Sequence, residues 1–422
     1  MTAARLKYDA VVVGAGVAGL TAGARLAEGG ATVCVVAMGV GSTHLAPATI
    51  DMLGYDPRRV EEPAAALPAF VGANPEHPYA LLGTESIGAA MEWFRQRVEA
   101  HSPGGYRYVG GLERNFLLPT AVGVARPSAM VPETMAAGEL REKESICLVG
   151  MRALRDFHVQ LCAANVARLG IEARGVELEV DVGGRPEANA VGLAKRFDNP
   201  DFRAEFARKL APSMREQRVG LPAVLGLRDA HRAWSDLEQR LERPVFEIPT
   251  LPPSAPGIRM FNALSKALRA AGGRLVMGSR VVGAEREAER VVALRAEGSG
   301  HEVVYEASWI VLATGGFASG GTTMDSRWRA REAVFDLPLR DAPESGRPRF
   351  DPEYLADQPL APAGVAVDSS LRPPGYENLL VAGAALGGAE PWRQGCGEGI
   401  SLASGHRAAE LVLESEKVGA TA

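Results

Sequence analysis

The chain has 422 residues, enough for more than one lobe with its own core, and its 46% hydrophobic and 23% charged residues match an ordinary globular protein. A formal charge of −5 excludes the basic footprint of a nucleic-acid binder. No run of about 18 apolar residues is present, which excludes a membrane-spanning helix. Four cysteines, Cys34, Cys147, Cys162 and Cys396, stand apart with no C-x-x-C pair. Neither a disulfide framework nor a metal or iron–sulfur site is expected of this chain, and the setting expected is reducing and cytoplasmic.

In chain order, residues 8–13 read as a buried strand, followed by a glycine-rich turn and a helix to about residue 28 that Gly29 and Gly30 cap. A second apolar strand over 31–37 completes a β-α-β unit, which demands a parallel pair and a right-handed crossover. A loop rich in Gly, Ser, Thr and Pro covers 39–56, a Pro-rich region 61–78, and a helical pattern runs from 84 to about 100. The middle of the chain reads as strand 145–150, helix 152–169, strand 171–181, helix 203–218, strand 219–227 and helix 228–243. From 256 the early pattern returns. A helix runs to 271, the segments 274–285, 290–296 and 301–312 read as a β-meander, and 378–409 reads as strand, glycine turn and helix.

The chemistry-bearing motifs are glycine turns at strand ends. The first is G-A-G-V-A-G at 14–19, between a strand and a helix. Gly14 permits the turn, Gly16 lets a pyrophosphate approach the backbone beside Ala15, and Gly19 lets helix and strand pack closely. The helix N-terminus adds unpaired N–H donors and a positive dipole end. The second is Ala313-Thr314-Gly315-Gly316, ending the last meander strand. The third is the tail N-L-L-V-A-G at 378–383, then Gly387-Gly388 and Q-G-C-G-E-G at 394–399, with Gly383, Gly395, Gly397 and Gly399 as backbone contacts.

The expected fold is therefore α/β: a Rossmann-like FAD/NAD(P)-type nucleotide-binding domain with a β-meander, discontinuous over 1–113 and 251–422, plus an inserted α/β substrate or cap domain over 114–250. An acid that would grip the adenosine ribose is missing at the end of the second strand, where Ala37 and Met38 stand and the next acid is Asp51. No arginine is seen nearby to take a 2′-phosphate instead. With no second G-x-G-x-x-G in mid-chain, a separate nicotinamide domain is not expected.

The tail motif resembles the closing segment of the fumarate reductase and succinate dehydrogenase flavoproteins, although Ala384 stands where those proteins have an acid for the ribityl hydroxyls. Five segments together resemble the B subunits of anaerobic glycerol-3-phosphate dehydrogenase. They are T-H-L-A-P-A-T-I-D-M-L at 43–53, H-P-Y-A-L-L-G at 77–83, L-P-P-S-A-P-G-I-R at 251–259, V-L-A-T-G-G-F-A-S-G-G at 311–321 and the Q-G-C-G-E-G run. That resemblance implies a three-subunit system. A larger catalytic flavoprotein subunit oxidises sn-glycerol 3-phosphate to dihydroxyacetone phosphate, and an iron–sulfur subunit passes electrons to membrane quinone. The chain would then lie at the inner face of the membrane through a partner. The resemblance also implies one flavin, described as FMN, whereas the glycine fingerprint favours FAD because FMN leaves part of it without a ligand. A stand-alone fumarate-reductase or aspartate-oxidase-like enzyme and a non-catalytic scaffold are the alternatives.

Three residues are candidates for catalysis. His44 lies in the loop that runs under the ring in related flavoproteins and suits proton transfer or flavin contact. Cys396 sits between glycines where a thiol meets the isoalloxazine, and Arg259 follows a Pro-rich turn as a binder of phosphate or of the flavin's developing charge. Arg393 is placed similarly. Each has a plain structural alternative: a loop histidine, a packing cysteine and a salt bridge. His77 and His231 are read as structural.

Overall fold

The computed structural model describes residues 4–298, 300–344, 350–353 and 356–421. Its frame is a seven-stranded mixed sheet. The elements that position the site are, in chain order, β1 (Ala4–Val13), α1 (Val17–Glu28), β2 (Val33–Ala37), α2 (Thr84–His101), α3 (Ala255–Ala270), β3 (Arg274–Met277), β4 (Arg280–Glu287), β5 (Arg290–Gly298), β6 (His301–Leu312), β7 (Leu379–Val381) and α4 (Gly397–Thr421). The strands lie in the order β3-β2-β1-β6-β5-β4, with β7 also pairing with β6. β1 is parallel to β2 and β6, and its segment Ala10, Val11, Val12 and Val13 is buried. A run buried on both faces is the signature of a central parallel strand covered by helices. Those helices include α1, nearly all of whose residues are buried, and α4, which crosses it so closely that a Cβ on Gly405 would lie 2.3 Å from the Ala18 carbonyl oxygen.

The segment read as one meander strand over 274–285 divides at Gly278 (φ 74°) into two strands. β3 pairs parallel with β2, and β4 turns back antiparallel to β5. Glycine tolerates the left-handed conformation that this reversal needs. The Pro-rich region folds as two helices, Pro63–Ala73 and Pro78–Leu82. Each opens on proline, where the missing N–H is an unpaired helix-end donor in any case. Of the helix read over 152–169, only Val159–Ala167 is helical. Ala153, Leu154 and Phe157 are buried from turns, so their apolar spacing reflects packing rather than helical period.

A second hydrophobic core gathers residues between Leu117 and Ile248. It surrounds a four-stranded parallel sheet ordered Ala173–Leu178, Ile146–Met151, Arg218–Pro222, Val245–Ile248. The last strand and the helix Ala190–Phe197 are not foreseen in the sequence pattern. This lobe is tied to the larger one by polar groups. Asn115 Nδ2, just ahead of the second core, donates to the carbonyls of Leu53 at 2.9 Å and Val60 at 2.8 Å.

Candidate functional site

Strand register explains why three distant glycine motifs meet. Val13 on β1 pairs with Leu312 on β6, and Leu312 pairs with Val381 on β7. The residues that follow, Gly14, Ala313 and Ala382-Gly383, therefore emerge side by side at the carboxyl edge of the sheet, the ligand edge of open α/β folds. Backbone bonds lock this edge. Gly14 N–H donates to Val36 at 2.8 Å, Ala313 N–H to Val13 at 2.8 Å, and Ala382 N–H to Leu312 at 2.9 Å.

Above that edge lies a cleft of about 1610 Å³. Its floor includes Gly14, Ala15, Gly16, Ala313, Thr314, Gly315 and Gly383, and its far wall includes Gly397 and Glu398. The volume exceeds the roughly 300–1,000 Å³ of ordinary small-molecule pockets and suits an extended dinucleotide. Two helices, α1 and α4, present their first turns to it. α1 has no acidic residue in its first turn and no side-chain cap at Gly16, so its leading N–H groups face the cleft unneutralised.

The glycines divide by role. Gly14 has φ 112°, and a Cβ there would lie 2.2 Å from the Ala313 carbonyl oxygen, so β1 and β6 can close only around glycine. A Cβ on Gly19 would lie 2.0 Å from the Gly14 carbonyl oxygen, which is the close helix–strand packing expected of the third fingerprint glycine. Around Gly16 a Cβ would meet nothing within 4 Å, leaving open space at the helix N-terminus. Thr314 Oγ1 is buried in the cleft floor with no hydrogen-bond partner, as expected of a group awaiting a polar ligand. These features fit a flavin dinucleotide. Gly395 and Gly399 are not among the residues lining the cleft. A Cβ on Gly399 would sit 2.4 Å from Tyr79 Oη, so that glycine serves packing.

None of the three catalytic candidates lines the cleft. Thr43, Leu45 and Ala46 do, but His44 packs edge-on against Phe261 with ring centroids 5.1 Å apart. Its Nε2 is buried without a partner, and burial lowers its pKa. Arg259 is buried in a bidentate ion pair with Glu247, at 2.6 and 2.9 Å, while its Nε donates to the Gly226 carbonyl at 2.8 Å. With every donor group so engaged, the phosphate or flavin contact expected of it gives way to a tie between the two lobes. The Cys396 thiol is fully buried 3.6 Å from Gln394 Oε1, and burial holds it protonated well above neutrality. Arg393 does line the cleft, paired with Asp357 and Glu390. His77 accepts from Tyr79 N–H at 3.1 Å, and His231 meets Glu133 at 2.7 Å.

Three features escape a reading of the sequence. Arg280, at the start of β4, lines the cleft beside Ala37, because Ser279 N–H donates to the Ala37 carbonyl at 3.1 Å. A cation therefore stands near the end of β2, where no arginine is expected from the local sequence. It is far along the chain and arrives by the parallel pairing of β3 with β2. Asp51 is buried at the other end, accepting from Thr49 Oγ1 at 2.8 Å and Ser128 Oγ at 2.6 Å and paired with Arg126. Nothing in the sequence links 51 with 126. Glu398, half-buried in the first turn of α4, has its pKa pushed up to about 7 by burial and by the nearby Asp51. It lies within the Q-G-C-G-E-G run, where an acid opening a ligand-facing helix is the available signal.

Among the described residues no group of three or more His, Cys, Asp or Glu is placed to hold a metal, and no helix is long and apolar enough to cross a membrane.

The chain belongs to the FAD binding domain family, whose pattern it matches over residues 9–400. It is thus a flavoprotein of the oxidoreductase class, and this match supports a flavin while giving no support to FMN. Within that class it belongs with the B subunits of anaerobic glycerol-3-phosphate dehydrogenase. It is 32% identical to the B subunit of Pectobacterium carotovorum subsp. carotovorum, covering 97% of this chain and 99% of that one. It is also 32% identical to the probable B subunit of Halobacterium salinarum, with the same two coverages of 97% and 99%. Those relatives are named as subunits, parts of a larger assembly. Among solved structures it is similar to the 3-ketosteroid delta1-dehydrogenase of Sterolibacterium denitrificans, at 13% identity and TM-score 0.47 over 97% of this chain and all of that one. It is also similar to Mycobacterium smegmatis Sdh1, at 12% identity and TM-score 0.44 over 98% of this chain and 69% of that one.

Proposed function

We propose that this chain is the FAD-carrying subunit of a quinone-linked glycerol-3-phosphate dehydrogenase. It would support oxidation of sn-glycerol 3-phosphate to dihydroxyacetone phosphate beside a larger flavoprotein subunit and an iron–sulfur subunit at the inner face of the membrane. The observation that carries the reading is the long cleft fed by two helix N-termini. Gly14, Ala15 and Gly16 with the first turn of α1 would hold the pyrophosphate. The adenosine would extend toward Ala37, Met38 and Arg280. Ala313, Thr314, Gly315 and Gly383 would hold the middle, with Thr314 Oγ1 supplying a polar contact. The ring end would then reach Gly397 and α4, whose N-terminal dipole stabilises negative charge.

When bound, the flavin supplies two-electron acceptance from a carbinol hydride. The chain's part is to orient it and shield it from water. FAD is favoured over FMN because FMN would leave the β2 end of the cleft unfilled. The test is purification of the chain alone, reconstitution with each flavin, and mass spectrometry of what is retained. A protein that stays colourless with both sinks the proposal. A non-catalytic scaffold is the second reading, favoured by the methyl of Ala384 in the cleft wall where a carboxylate is expected. It predicts that Gly16→Glu leaves the activity of the assembled complex unchanged.

A further inference from the structure

Holding a flavin does not by itself call for a carboxylic acid in the ring end of the cleft, yet Glu398 stands there, between Gly397 and Ile400. Behind it is Asp51, 1% exposed, whose oxygens are taken by Thr49, Ser128 and Arg126. Asp51 is therefore held in place by three partners, one of them the cation Arg126. Glu398 has no side-chain hydrogen-bond partner among the described residues, and only its own backbone N–H bonds to it.

Other titratable groups reach this spot from several elements. Tyr79 comes from Pro78–Leu82, Tyr108 from the strand Tyr108–Gly110, Tyr55 from the short strand Tyr55–Asp56, and Cys396 precedes α4. Burial raises all four, so they stay protonated through neutrality. Glu398 is the carboxyl beside them, pushed up to about 7 by burial and by Asp51, and it lines the cleft.

We propose that Glu398 donates a proton to the redox ring held at the α4 end of the cleft as that ring is reduced, and regains it from solvent. This rests on the reading of the cleft as an FAD site. A hydride from a carbinol brings two electrons and one proton to the ring and leaves it with one more negative charge. The Glu398 O–H bond breaks, a ring N–H bond forms, and the charge passes to the carboxylate. Arg126, whose pairing with Asp51 has not removed its field, stabilises that carboxylate. Water reprotonates Glu398 through the open mouth of the cleft.

The test uses the whole chain loaded with FAD and reduced chemically, with no glycerol phosphate and no partner. Flavin potential is followed on both sides of neutrality, and infrared difference spectra are taken on reduction. The native chain is expected to show a break in the potential–pH plot near neutrality and loss of a protonated-carboxyl band. Glu398→Gln is expected to lose both while retaining FAD, and Glu398→Asp to keep both with the band displaced. An unchanged plot and band in Glu398→Gln overturns the inference alone. If that variant does not fold, a band that fails to move in Glu398→Asp overturns it equally. A chain that takes up no FAD overturns the reading of the cleft and this inference together.

Discussion

Gly14 and Gly16 stand two positions apart and face opposite constraints, which makes them a test of which glycine serves fold and which serves ligand. At Gly14 an added methyl meets Ala313 at 2.2 Å with φ already at 112°. Gly14→Ala should therefore cost about 2 kcal/mol or more in urea denaturation. At Gly16 the methyl meets nothing within 4 Å. Gly16→Ala should unfold like the native chain yet bind FAD at least about tenfold more weakly, since each tenfold is about 1.4 kcal/mol. Equal FAD affinity in a normally folded Gly16→Ala would remove the pyrophosphate from this turn. Glu398 makes a different prediction. Its folded pKa, about 7, lies above the ordinary value of 4.5, so the folded state holds the proton more tightly than the unfolded state. Its contribution is full below pH 4.5, declines as pH rises toward 7, and is gone above it. His77 acts in the opposite sense. Burial lowers its pKa from 6.5 to about 4, so stability is lost as pH falls through that window. Glu398→Gln should remove the decline on the alkaline side and leave the acid side intact, as read from unfolding midpoints across pH. The packing roles of Gly14 and Gly19 were legible because a tight turn and a close helix–strand approach leave a mark in local sequence. The charged groups were not, because Asp51, Arg126 and Glu398 meet only through tertiary packing.

At the scale of elements, α3 and the strand Val245–Ile248 belong to different cores but share the buried pair Arg259 and Glu247. Thr134 Oγ1 also donates to Glu247 at 2.7 Å, and Leu225 N–H does so at 2.7 Å. Removing one partner strands a buried charge, so Arg259→Ala should cost about 3–5 kcal/mol, while replacing both partners with apolar residues of similar volume should recover much of it. A double mutant no more stable than Arg259→Ala in urea denaturation would refute this. A chemical role for Arg259 is the natural reading of its sequence context, because an arginine after a Pro-rich turn carries no sign of its partner's depth. The same limit explains the division of 274–285. Apolar alternation identified strands, but nothing local said that Gly278 would send the chain to two different neighbours.

At the scale of the molecule, the order strand, glycine turn, helix at both ends of the chain reads as one parallel sheet because parallel strands need crossovers, and in the fold β6 pairs with β1 and β7 with β6. The second lobe was less legible. Its strands are short, and its final one, Val245–Ile248, has only four residues between Pro244 and the Pro-rich turn that follows. If FAD binds the folded chain and not the unfolded one, it should raise the unfolding free energy by about 2.7 kcal/mol at a free concentration roughly 100-fold above Kd. FMN, reaching fewer of the same groups, should give less at the same concentration, a comparison that denaturant titration makes directly.

The bare first turn of α1 carries one more consequence. Its unneutralised N–H groups do not distinguish a pyrophosphate from any other small oxyanion. The apoprotein is therefore sensitive to its buffer. Inorganic phosphate or pyrophosphate should occupy the turn and slow flavin uptake in proportion to concentration, whereas a zwitterionic amine buffer should leave it free. A preparation made in phosphate would then look deficient in cofactor for a reason that lies in the solution and not in the fold.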